Sequence, residues 1–214
     1  MMRSGLLDSK LYRVCEWITR LAYINIIWVG FTIIGLGILG VAPSTVALFT
    51  IVRKWLLFRD EGVPVFKTFA RTYKQEFWRA NGIGFLFMAI AYILYIDVLY
   101  IDHVPAPWQL PFSVVLFVIM IFYGITLLYV FPIYVHYELR FWQYVKYAFI
   151  IGVANPFMTL AMIVSIGILL VVLLYVPGLI PFFSVSLFAM IVMGSALRVF
   201  RKVEERQTAW QHGR

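Results

Sequence analysis

The chain has 214 residues, 63% of them hydrophobic and 13% charged, against about 25% charged in an ordinary soluble domain. That excludes a single soluble core and predicts an integral membrane protein, all-α, folded as a polytopic bundle of transmembrane helices. The net charge of +8 is spread over several interhelical segments with no nucleic-acid motif, so nucleic acid is not an expected partner.

The first apolar block runs from Leu21 to Val52. It starts too late and is too long for a cleavable signal peptide, and it leads into further membrane segments. Cys15 is the single cysteine, so an intrachain disulfide is impossible and redox chemistry is not expected. Within the block, glycines at 35, 37 and 40 loosen a bend, and Pro43 to Phe58 forms a returning helix with Pro43 in its first turn. That limb is about 24 Å long at about 1.5 Å per residue. It crosses only if Arg53 and Lys54 snorkel toward the surface; the alternative is a re-entrant half-helix.

Pro64 to Arg79, "PVFKTFARTYKQEFWR", is amphipathic. Phe66, Phe69, Ala70, Tyr73 and Phe77 make one helical stripe, while Lys67, Arg71, Lys74 and Gln75 lie on the other side. The expectation is an interfacial helix over 64–79, resting on the anionic lipid of the inner leaflet. A second hairpin follows at about 80–136 and a third at about 150–199, with a cytoplasmic tail at 200–214. The six expected segments are 21–40, 43–58, 80–101, 109–136, 150–175 and 179–199, all within one membrane domain, 1–214.

Charge sets the expected sidedness. All 18 Lys and Arg residues fall in four groups: Arg3 to Arg20, Arg53 to Arg79, Arg140 with Lys146, and Arg198 to Arg214. The intervening loops 37–43, 97–109 and 175–181 carry none. Retention of basic residues on the cytoplasmic side predicts a plasma-membrane protein with both termini inside. Glu16, Glu76 and Glu138 are 60 and 62 residues apart in similar Trp-containing contexts. This suggests three copies of one unit, although any multi-pass protein repeats Trp and charge at its interfaces.

Catalytic chemistry has little to stand on. His103, His136 and His212 lie in separate regions, and no zinc, nucleophile-elbow or phosphate-loop motif occurs. No catalytic residue, metal or cofactor is therefore expected. Asp97, Asp102 and His103 form one outer acidic cluster, and the pair His136 and Glu138 flanks Tyr137 as a candidate for proton handling. Asn25 and Asn155 fall within apolar segments, where an asparagine bonds to a neighbouring helix or lines a polar path.

The residues "NIIW" (Asn25 to Trp28), "VAPSTVAL" (Val41 to Leu48) and "FKTFARTYKQEFWRANGIG" (Phe66 to Gly84) resemble the YesL-like family of small bacterial membrane proteins. The likeness covers most of the chain and is diagnostic over its first 85 residues; here Thr32 to Leu36 lacks the Leu-Pro step usual in the family. The resemblance implies a non-enzymatic accessory of carbohydrate uptake in Gram-positive bacteria, with subunits of an ABC-type sugar importer as partners. It brings no catalytic residues, and marks Asn25, Trp28, Pro43 and Ala47 as positions shaping the first hairpin. The competing expectation is a small stand-alone carrier for a polar solute, its path lined by Asn25, Asn155, Trp28 and intramembrane tyrosines.

Overall fold

A computed structural model describes residues 4–58 and 64–212, with side chains described over 12–58 and 64–205. Arg3, Arg59 and Arg214 lie outside the described residues, as do the side chains of Lys10, Arg206 and His212. Seven α-helices follow in chain order: α1 Ser4–Ile34, α2 Ile38–Phe58, α3 Val65–Tyr100, α4 Ala106–His136, α5 Phe141–Ala154, α6 Pro156–Tyr175 and α7 Ile180–His212. Among the described residues there is no strand. Six helical stretches, all except α5, are long and apolar enough to cross a membrane.

The breaks between helices have local causes. Pro105 and Pro107 start α4, and Pro156 starts α6, where the missing N–H of proline costs no helical bond. The expected fifth segment, 150–175, is therefore divided between two helices, α5 and α6, parted at Asn155. Between α1 and α2 the turn places Leu36 at φ 58° and Gly37 at φ 73°, and the left-handed region suits glycine at the second of these. Pro43 stands five residues inside α2, not in its first turn, because α2 already begins at Ile38.

Two further expectations change. The amphipathic stretch 64–79 is not a separate helix: it is the first half of the 36-residue α3. Its aromatic stripe is not offered to lipid either. Phe69 and Tyr73 are buried, and the Phe31 ring of α1 packs against Phe69 and Tyr73 at 5.0 Å each and against Phe66 at 5.9 Å. The stripe thus covers α1, while Lys67, Arg71 and Lys74 are exposed and Phe66 is 56% exposed. Residues 137–140 form an extended strap between α4 and α5.

The core runs along α2, which is the most enclosed helix: Val46, Ala47, Leu48, Phe49, Ile51 and Val52 are all buried, against α1, α3, α4 and α7. Small residues set its close approaches. A Cβ on Gly40 would strike the Thr32 backbone, one on Gly35 would strike Gly40 and the Tyr73 hydroxyl, and one on Gly84 would lie 2.9 Å from Ala42. The α1–α2 turn therefore lies within one tyrosine side chain of α3. By contrast, the far halves of α3 and α4 expose almost every apolar side chain, among them Tyr92, Ile96, Val115 and Phe117.

The three glutamates 60 and 62 residues apart do not occupy equivalent places. Glu16 pairs with Arg20 in α1 at 2.5 Å, Glu76 accepts from a tyrosine of α4, and Glu138 is exposed on the strap.

Candidate functional site

The strap at residues 137–140 organises a polar cleft. An extended backbone leaves amides and carbonyls without helical partners, and they must be satisfied from elsewhere. Tyr144, one turn into α5, does most of this. Its hydroxyl accepts from the Leu139 N–H at 3.0 Å and donates to the Tyr137 carbonyl at 3.3 Å. Gln143 Oε1 accepts from the Arg140 N–H at 3.0 Å. Arg79, at the middle of α3, donates to the Leu139 carbonyl at 2.7 Å and to the Tyr144 hydroxyl at 3.4 Å, with its guanidinium over the Tyr134 and Tyr144 rings. Planar cations favour such aromatic faces.

Under this strap α2, α3 and α4 enclose a cavity of about 700 Å³. Arg53 and Thr50 line it from α2, Thr72, Gln75, Glu76 and Arg79 from α3, and Tyr134 and His136 from α4. The Tyr134 hydroxyl donates to the Glu76 carboxylate. Arg53 Nε–H donates to His136 Nδ1 at 3.2 Å, and His136 Nε2 faces Glu204 of α7 at 3.4 Å. An acceptor at Nδ1 puts the ring proton on Nε2, aimed at the carboxylate. Tyr137 also donates to Glu204, at 3.2 Å. Burial first, then the Glu204 carboxylate, pushes its phenol up to about 12, so at neutral pH it is a hydrogen-bond donor.

The expected pair of His136 with Glu138 does not form. The imidazole turns to Arg53 and Glu204 instead, joining α2, α4 and α7, while Glu138 faces the cleft mouth.

The other expected site residues sit apart from the cleft. Asn25 is fully buried; its amide N–H donates to the Pro181 carbonyl at 2.7 Å, and its oxygen accepts from the Val185 and Ser186 amides, each at 3.0 Å. Trp28 donates to Thr45 Oγ1 at 3.2 Å, and Asn155 to the Ile151 carbonyl at 3.1 Å. Pro43 and Ala47 are buried in α2. The side-chain polar atoms of Asn25 and Trp28 are thus engaged with protein, as is the amide nitrogen of Asn155. Asp97 is half-buried on α3, while Asp102 and His103 are exposed beyond it, with the imidazole stacked on Tyr100 at 5.2 Å. Among the described residues no three His, Cys, Asp or Glu side chains gather as a metal site would need.

Comparison with known proteins agrees over nearly the whole length. Residues 21–98 match the family model described as "Protein of unknown function, DUF624". The chain is 41% identical over 200 residues to "Uncharacterized protein YteU" of Bacillus subtilis (strain 168), covering 92% of this chain and 88% of that one. It is 38% identical to "Uncharacterized protein YesV" (95% and 97% covered) and 35% identical to "Uncharacterized protein YesL" (93% and 93%) of the same organism. No solved structure matches. The matched model spans the C-terminal part of α1, all of α2 and most of α3, the stretches that carry Asn25, Arg53 and Arg79, and the chain belongs to the YesL-like, DUF624 family of membrane proteins.

Proposed function

We propose that the chain is a non-enzymatic accessory membrane protein that packs beside the membrane subunits of a carbohydrate importer. One observation supports this above others: the far halves of α3 and α4 present tyrosine and aliphatic side chains on nearly all sides. A helix pair carrying that surface associates with other helices by shape, without polar chemistry of its own. The link to carbohydrate rests on the family resemblance alone. A stand-alone carrier is the weaker reading, since Asn25, Trp28 and Asn155 are engaged in internal bonds.

The test is co-purification in mild detergent from a cell that imports oligosaccharides. The expected result is enrichment of a permease or ATPase subunit over a tagged control membrane protein. Recovery of neither would sink the accessory reading, and uptake of labelled oligosaccharide by liposomes holding the purified chain alone would replace it with the carrier.

The distribution of Lys and Arg supports cytoplasmic termini in the plasma membrane. With Lys67, Arg71 and Lys74 on that side, the α1–α2 turn belongs there too. Tyr73, which reaches the turn, is 27 residues before Tyr100, about 40 Å along α3 at about 1.5 Å per residue, more than the roughly 30 Å hydrocarbon core. The contact with Tyr73 supports the re-entrant alternative for the first hairpin.

A further inference from the structure

The seam between α2, α3 and α4 changes character along its length. At the strap end it holds the polar cleft. One helical turn further along all three helices it becomes an apolar groove of about 190 Å³, walled by Val41 and Ala42, by Gly84 and Phe87, and by Leu127 and Phe131. Each helix moves in step: α2 from Val46 to Ala42, α3 from Arg79 to Gly84, α4 from Tyr134 to Phe131. The cleft and the groove are separate hollows with no lining residue in common, and they follow one another along one seam as the headgroup and tail of an amphiphile do.

The charges select its kind. Arg53 uses Nε on His136, which fixes the guanidinium plane. Among the described residues no hydrogen bond or ion pair takes its two Nη groups, nor the side chains of Thr72 and Gln75 in the same lining. A half-buried guanidinium with four N–H donors unused is a seat for one phosphate or carboxylate. Glu76 and Glu138, also in the lining, limit the guest to a single negative charge and offer acceptors for its hydroxyls.

We propose that this seam binds a membrane phospholipid, its phosphodiester on Arg53, its hydroxylated headgroup toward Glu76 and Glu138, and one acyl chain in the groove beside Gly84 and Phe87. The proposal is independent of the accessory reading. A free anion would use the cleft and leave the groove empty; a lipid accounts for both.

The experiment is lipid binding to the detergent-solubilised full chain by native mass spectrometry and by thermal shift, with phosphatidylglycerol, phosphatidylcholine and inorganic phosphate as separate probes. Phosphatidylglycerol is expected to bind and stabilise. Arg53→Gln should weaken it by about tenfold or more, the worth of one charge-assisted contact, and Lys74→Gln, on the exposed face, by less than about twofold. Leu127→Trp, which fills the groove without touching the polar network, should weaken lipid binding while leaving the fold intact, so the proposal remains testable if Arg53→Gln unfolds. Equal binding by wild type and both cleft and groove variants would assign the lipid to the general basic surface and overturn the proposal. Stabilisation by inorganic phosphate equal to that by the lipid would overturn it in favour of a soluble anion.

Discussion

Replacing Asn25 by alanine tests how the first helix is tied to the last. Its amide makes three hydrogen bonds to α7, at the Pro181 carbonyl and the Val185 and Ser186 amides. Pro181 and Val185 are four residues apart, the separation of a helical i→i+4 bond, so the side-chain amide spans one step of the α7 ladder from outside. Interhelical hydrogen bonds within a membrane are worth about 0.6 kcal/mol each, and three come to about 2 kcal/mol. Orphaned backbone groups in lipid would add more, but here Val185 and Pro181 can turn to each other once the amide is gone, so the loss should stay near that figure. Unfolding of the purified protein in mixed micelles, driven by increasing dodecyl sulfate, measures it directly. A loss below about 0.5 kcal/mol would refute the assignment of Asn25 as the tie between α1 and α7.

Four further outcomes follow from the same geometry. A cysteine at Leu36 should be labelled by a membrane-impermeant maleimide from the same side as one at Lys74, because the α1–α2 turn lies against Tyr73; labelling from opposite sides would restore a full crossing by α2. Gly35→Ala should destabilise the chain by about 2 kcal/mol or more, since the new methyl meets the Gly40 backbone and the Tyr73 hydroxyl. Gly167→Ala, with nothing within 4 Å of its Cβ position, should instead gain up to about 1 kcal/mol. For Tyr137, whose phenol stands at about 12, ultraviolet titration should show late ionisation that moves down in Glu204→Gln. The raised value means that its stabilising contribution is complete below about pH 10, where the unfolded phenol begins to ionise, and is lost as pH climbs to about 12.

How much of this was legible in the sequence depends on the range of the interaction. The apolar blocks announced helices because a backbone in lipid has no other way to satisfy its amides. The aromatic stripe from Phe66 to Phe77 also announced a buried face, but a stripe covered by lipid and one covered by Phe31 need the same residues, so its partner could not be read. The strap at residues 137–140 was hidden for a related reason. "YELRFWQ" contains good helix formers, and what holds its first four residues extended is Tyr144 from the next helix and Arg79, 60 residues before Leu139. Local propensity yields to such tertiary bonds.

The cleft was the least legible part. Each charge in it has a sufficient local explanation: Arg53 and Arg79 satisfy the positive-inside pattern, Glu76 the amphipathic helix, and His136 and Glu204 the ends of two apolar segments. Nothing in the spacing says that Arg53 will meet a histidine 83 residues on, or that this histidine will meet a glutamate 68 residues beyond it. The sequence groups its basic residues between the apolar segments, and helix packing decides which of them turn inward. Arg53 turns inward because the Phe49 ring, one helical turn before it on α2, stacks against Phe131 of α4, setting the face of α2 from which the guanidinium reaches His136. A charge explained at the level of topology thus acquires its chemistry from core packing, and the guanidinium held in this way is the one with donors to offer a ligand.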